Sequence, residues 1–188
     1  MKNKIPLTQA DSLASRILVA LAPGCREIKV AGSVRRRESF VGDIEIVAVP
    51  EFEIVPLAQS SLFDDDERPC AFRSLLDVQI VRLLAEKPNF KRGDKNGEKF
   101  KNFQINDTIQ LDLWITTRPQ WGYIYALRTG SEAFVKRMVR LRTGGGMLPP
   151  EYHFDEGWLW YRGEKVATTS ERVLFDVLGG WVEPEDRK

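Results

Sequence analysis

The run Val41-Gly-Asp-Ile-Glu-Ile-Val-Ala-Val49 constrains the fold more than any other part of the chain. Successive side chains of an extended strand point to opposite faces. Ile44 and Ile46 therefore share one face, Asp43 and Glu45 share the other, and Pro50 ends the strand. A second strand, Ile109-Gln-Leu-Asp-Leu-Trp-Ile115, holds Asp112 inside an apolar run. In a central strand such a charge needs a metal or a partner.

Around these strands the chain divides into segments. Thr8 is placed to cap a helix running to about Leu21, with Leu13, Ile17 and Leu21 on one face, and Pro23-Gly24 stops it. Glu27 to Ala31 reads as a short strand entering a Gly32-Ser33 turn. Ser74 to Leu84 reads as a buried helix, apolar nearly all round. Asn89 to Gln104, broken by Gly93-Asp-Lys-Asn-Gly97, reads as a hairpin with a basic tip.

Beyond Arg118-Pro119 the character changes. Two helical segments flank Thr129-Gly-Ser131, breaks follow at Gly144-Gly-Gly146 and Pro149-Pro150, and Trp158, Trp160 and Tyr161 mark a short β unit. A last helix spans about Ser170 to Leu178, with Glu171 in its first turn and Gly179-Gly180 as its stop. A boundary near Thr117–Pro119 gives an α/β lobe, residues 1–118, and a small α+β lobe, residues 119–188.

Composition narrows the chemistry. Cys25 and Cys70 lie far apart and His153 is the single histidine, so a disulfide scaffold and a Cys/His zinc site are both disfavoured. This usage suits a reducing, cytoplasmic setting. No apolar run is long enough to span a bilayer, and the N-terminus lacks the apolar core of a signal peptide. The net charge of +1 says little about nucleic acid, which binds local patches. Local asymmetry is plain: Phe63-Asp-Asp-Asp-Glu67 is an acidic surface segment, whereas Arg128, Lys136, Arg137, Arg140 and Arg142 stand against Glu132 alone.

Magnesium prefers hard oxygen ligands and keeps several waters, so two or three carboxylates suffice when phosphates supply the rest. Asp43 and Glu45 can bridge one metal pair, and Asp112 on a neighbouring strand completes the set. Two metals about 3.5–4 Å apart can activate an attacking oxygen and stabilise a leaving one. Gly32-Ser33 and Arg35-Arg-Arg37 precede the Asp43 strand within ten residues. Glycine lets backbone N–H groups approach phosphate closely, and arginine binds phosphate oxygens with a planar fork. Alone, Asp-x-Glu reads as the solvated face of a strand and the arginines as a solvated loop; together they point to metal-dependent phosphoryl transfer.

Gly-Ser-x-x-Arg, then Gly-Asp-x-Glu, Leu-Asp-Leu and Thr-Gly-Ser occur here in the order that marks the DNA polymerase X (polymerase beta-like) family, and the chain resembles it. Likeness is close over residues 25–50 and 109–188, including the ending Glu171-Arg-Val-Leu-Phe-Asp-Val-Leu-Gly179 and Glu183-Pro-Glu-Asp-Arg187. The Gly144-Gly-Gly146 run and the aromatics after it resemble the compact phage proteins of this type. The resemblance implies a nucleotidyltransferase palm with a mixed sheet and a small C-terminal α+β thumb lobe. It implies a monomeric DNA polymerase without membrane association, acting on a primer-template and a nucleoside triphosphate with two Mg²⁺, for which Mn²⁺ substitutes. Its setting is DNA repair in the cytoplasm, the host's if phage-encoded.

Carried across, Asp43, Glu45 and Asp112 are the catalytic and metal-ligating residues, with Asp112 taking the proton of the primer 3′-hydroxyl. Gly32, Ser33, Arg36 and Gly42 hold the triphosphate. Thr129, Gly130 and Ser131 seat the sugar, with a cis Gly130–Ser131 bond. Lys136, Arg137 and Arg140 lie near DNA phosphates, on a helix that turns Phe134 and Met138 inward. The chain departs from the family where Glu45 replaces an aspartate, where Leu127-Arg128 replaces the aromatic pair that screens the sugar 2′-position, and where Val139 replaces a basic residue that contacts template. Only about 25 residues precede the first palm strand, so lyase activity is not expected. The alternative is a template-independent transferase acting on RNA, protein or a small molecule. A non-catalytic nucleic-acid-binding relic is disfavoured because all three carboxylates remain.

Overall fold

The structure, a computed structural model, describes residues 4–56 and 70–188; the acidic segment 63–67 lies outside the described residues. In chain order its elements are β1 (Ile5–Pro6), α1 (Leu7–Leu21), β2 (Cys25–Val30), α2 (Gly32–Arg35), β3 (Phe40–Val41), β4 (Asp43–Pro50), β5 (Phe52–Pro56), β6 (Cys70–Ser74), α3 (Leu75–Glu86), β7 (Phe90–Asn96), β8 (Phe100–Ile105), β9 (Ile109–Ile115), α4 (Trp121–Thr129), α5 (Glu132–Val139), β10 (Tyr152–Asp155), β11 (Trp158–Tyr161), β12 (Glu164–Val166) and α6 (Glu171–Leu178). The chain is mixed α+β, with a five-stranded mixed sheet and six α-helices among the described residues. No helix among them is long and apolar enough to cross a membrane.

The main sheet runs β2-β4-β9-β8-β7. Its central pair, β4 and β9, is parallel and the other neighbours are antiparallel. A parallel pair needs a crossover, and here β5, β6, α3 and the β7–β8 hairpin all lie between the two strands in sequence. On one face, Ile44 and Ile46 of β4 and Leu111 and Leu113 of β9 pack with Leu13 and Ile17 of α1 and Ile80 of α3. Each such side chain contributes about 1.5–3 kcal/mol when fully buried.

The other face is divided along the strand. Val47 and Val49 pack against Trp121 and Tyr125 of α4, while Asp43 and Glu45, upstream on the same face, are only half-buried. The C-terminal segment has its own apolar cluster around Phe134 and Met138 of α5, Leu159 of β11 and Leu174, Phe175 and Leu178 of α6.

Several boundaries differ from the sequence expectation. Thr8 does not cap α1: the helix begins at Leu7 behind Pro6, with no side-chain cap, and the Leu7 N–H donates to the Ser39 carbonyl at 3.1 Å. The Gly32-Ser33 turn is a one-turn helix, and the strand before it begins at Cys25 rather than Glu27. Gly42 splits the expected Val41–Val49 strand, whose first part pairs with β1 instead. Ser74 caps α3, its hydroxyl accepting from Asp77 N–H at 3.2 Å, but the helix is buried on one side only, Val81 being 60% exposed. The β7–β8 reversal falls after Asn96, and Gly93 to Asn96 belong to the strand, where the pairing is irregular.

Candidate active site

Strand register brings the carboxylates together. In the parallel β4–β9 pair Glu45 lies opposite Asp112, and Asp43 lies opposite Gln110. Neighbouring strands are about 4.8 Å apart, so the three carboxylates crowd one patch of the sheet face left uncovered by α4. The Gln110 amide donates to Asp112 Oδ1 at 2.6 Å, holding that carboxylate from the preceding same-face position.

Electrostatics registers the crowding. Burial pushes the Glu45 carboxyl up to about 7, Asp43 and Asp112 push the same way, and Arg128 and Arg36 oppose. No group of three or more His, Cys, Asp or Glu among the described residues is already arranged to hold a metal ion. The donor set nevertheless suits a hard cation, since its oxygens are anionic and mutually repelling.

The Gly32 turn abuts this patch. Ala31 N–H donates to the Glu45 carbonyl at 2.8 Å, and Gly32 follows with φ +60°. A Cβ on Gly32 would stand 2.9 Å from Glu45 Cδ and closer still to its Oε2, so only glycine lets the carboxylate lie there. The Ser33 hydroxyl is buried without a hydrogen-bond partner. An unpaired buried hydroxyl costs about 1–3 kcal/mol, and a phosphate oxygen would satisfy it. Gly42 is not sterically required, since a Cβ there meets nothing within 4 Å.

The arginine run is divided in role. Arg36 Nη1 donates to the Thr129 carbonyl at 2.7 Å, and its Nε lies 3.6 Å from Glu38 Oε1. Arg35 donates to Thr129 Oγ1 at 2.7 Å and forms a forked pair with Glu171 at 2.9 and 2.6 Å, its guanidinium 3.9 Å above the Tyr125 ring. Glu171 also accepts from Arg187, which is fully buried and whose carbonyl accepts from Ser131 N–H at 2.8 Å. Thr129-Gly130-Ser131 is thus clasped from both sides.

That turn differs from the expectation in one respect: every described peptide bond is trans, Gly130–Ser131 included. Ser131 caps α5, its hydroxyl accepting from Phe134 N–H at 3.1 Å, which fixes the chain in an extended approach to the helix. Phe134 and Met138 are buried as expected. Lys136 is paired to Glu132 at 2.5 Å, Arg137 lies in the last turn of α5, and Arg140 is its C-cap.

Contacts that the sequence reading did not anticipate complete the site. Arg128 lays its guanidinium 3.3 Å from the Trp114 ring centre, and Phe100 packs on the same indole at 4.2 Å. Burial lowers the Arg128 pKa, while Glu45 and Asp112 counteract that shift. Its signal was available: Trp114 follows Asp112 by two residues and so shares its face. Arg35, Glu171 and Arg187 had no such local signal, because their partnership joins distant segments. Compared with protein-family models and with curated proteins, the chain matches none of them.

Proposed function

We propose that this protein is a polymerase X-like nucleotidyltransferase that adds nucleotides to the 3′-hydroxyl of a DNA primer. The observation that carries this reading is the convergence of Asp43, Glu45 and Asp112 on one open sheet face beside the buried, unpaired Ser33 hydroxyl. Asp43, Glu45 and Asp112 would hold two Mg²⁺. When bound, such ions neutralise charge on a transferring phosphoryl group.

The chain's own residues do the rest. Asp112 Oδ, oriented by Gln110, would accept the proton of the primer 3′-hydroxyl as that oxygen bonds to the α-phosphorus and the bond to the departing pyrophosphate breaks. Ser33 donates to a phosphate oxygen, and Gly32 keeps the cradle flush with Glu45. Arg36 ties the cradle to the Thr129 carbonyl, linking the groups proposed to grip phosphate and sugar. Positioning of this kind accounts for much of catalysis in phosphoryl transfer.

The decisive experiment is extension of a recessed primer in Mg²⁺ by the wild type and by Asp112→Asn. Templated extension that the substitution abolishes supports the reading; unchanged extension refutes the mechanism. Running each deoxy- and ribonucleotide separately tests Arg128, which stands where the family has its sugar screen. Untemplated addition to any acceptor would favour the alternative transferase.

A further inference from the structure

The open face of the main sheet continues beyond the carboxylates. Residues directly opposite on adjacent strands lie on the same face, and the registers define two polar rows. One runs Asp43, Gln110, Gln104, Lys91 across β4, β9, β8 and β7. The next runs Glu45, Asp112, Asn102, and then meets the irregular stretch of β7.

That irregularity is built rather than loose. Asn102 is buried; its Oδ1 accepts from Lys95 N–H at 2.8 Å and its Nδ2 donates to Asp94 Oδ1 at 2.7 Å. A Cβ on Gly93 would lie 2.7 Å from Asn102 Cγ, so glycine is what lets the strand fold over this side chain. The partner of Asp112 in the sheet therefore holds the backbone that carries Lys95. Asp94, the acidic group of the bulge, stays ionised, but its Oδ1 is held by the Asn102 amide. Among the described residues Lys91 pairs with the exposed Asp107, at 2.8 Å, an interaction worth about 0–1 kcal/mol and readily exchanged.

We infer that the β7 edge, through Lys91 and Lys95, binds backbone phosphates of the nucleic-acid strand whose 3′ end reaches Asp112. This rests on the reading of the carboxylates as a nucleotidyltransferase site. Two strand spacings separate β9 from β7, about 10 Å. At about 3.4 Å per nucleotide along one strand, that is roughly three nucleotides from the reacting end. The first polar row supplies an uncharged floor of Gln104 and Gln110 between the acidic patch and Lys91.

The test is binding of a recessed primer-template by fluorescence anisotropy between about 50 and 200 mM salt, a range over which phosphate contacts are resolved. Lys91→Ala/Lys95→Ala should reduce the slope of log K against log salt by about 1.8, at about 0.9 per contact. Arg16→Ala/Lys87→Ala removes the same charge from the opposite side of the sheet and should leave the slope unchanged. A neutral methylphosphonate near the third linkage from the primer 3′ end should weaken binding by the wild type but not by the Lys91/Lys95 variant. Equal slopes for wild type and edge variant, or equal losses in edge variant and control, overturn the inference while leaving the carboxylate site intact. A wild type that neither binds nor extends DNA instead removes the nucleotidyltransferase reading, and this inference with it.

Discussion

Gly32→Ala separates a catalytic role for the Glu45 carboxylate from a merely structural one. Two costs can be worked out. Gly32 holds φ +60°, and a side chain in that left-handed region costs about 1–2 kcal/mol. The new methyl would also stand 2.9 Å from Glu45 Cδ and inside contact with Oε2, so the carboxylate must retreat on the order of 1 Å, a misplacement worth about 100-fold in rate. Gly42→Ala is the matched control: it lies in the same motif, has no positive φ, and its Cβ would meet open space. Urea denaturation should show Gly32→Ala less stable by about 1–2 kcal/mol, and primer extension should fall about 100-fold. Mn²⁺ binding, followed by electron paramagnetic resonance without nucleotide or DNA, should weaken in parallel. Gly42→Ala should keep the wild-type stability and Mn²⁺ affinity. Equal losses in the two variants, or normal Mn²⁺ binding by Gly32→Ala, would refute the steric reasoning.

Glu171→Gln leaves Arg35 and the fully buried Arg187 without their shared counter-charge. Loss of about 3–5 kcal/mol is expected, a drop of roughly 10 °C in melting temperature for a chain of this size; a drop under about 2 °C would mean the cluster contributes little. Glu45 gives a pH signature. Its folded pKa of about 7 lies above the ordinary 4.5, so ionisation opposes folding, and the metal-free protein should lose up to about 3 kcal/mol as pH rises from 4.5 to 7. Denaturation at pH 5 and pH 8 should show this loss in the wild type, its absence in Glu45→Gln, and its reversal by Mg²⁺. A variant with the wild-type pH dependence would exclude Glu45 as the source. Arg128→Leu removes an opposing charge from Glu45, so the pH of half-loss should move upward; an unmoved profile would show that Arg128 does not act on the carboxylates.

The acidic face of β4 was legible because strand periodicity is a local property. Asp43 and Glu45 follow from alternation alone, and Asp112 declares itself as a charge in an apolar run. Their lateral pairing was not legible, since register between β4 and β9 depends on a crossover spanning some sixty residues. Helix stops at Pro23-Gly24 and Gly179-Gly180 were readable for the same local reason. The start of α1 was misplaced because Ser39, remote in sequence, satisfies the Leu7 N–H and makes a capping hydroxyl unnecessary. The β7–β8 break was misplaced because glycine usually signals a turn, whereas Gly93 admits a side chain from the neighbouring strand.

The arginines show where local reading fails most instructively. Three consecutive guanidiniums beside a Gly-Ser turn look alike in sequence, and each could be assigned to phosphate. On the helical turn made by α2 and its C-cap residue Arg36, however, neighbouring residues diverge by about 100°. Arg35 is directed to Glu171 and Tyr125, and Arg36 to the Thr129 carbonyl. Both arginines contact Thr129, one through its hydroxyl and the other through its backbone. If the proposed function holds, closure over a nucleotide does not require a hinge between independent lobes: a phosphate bonded to Ser33 would act on α2, whose Arg35 is already bonded to Thr129 in the turn proposed to seat the sugar.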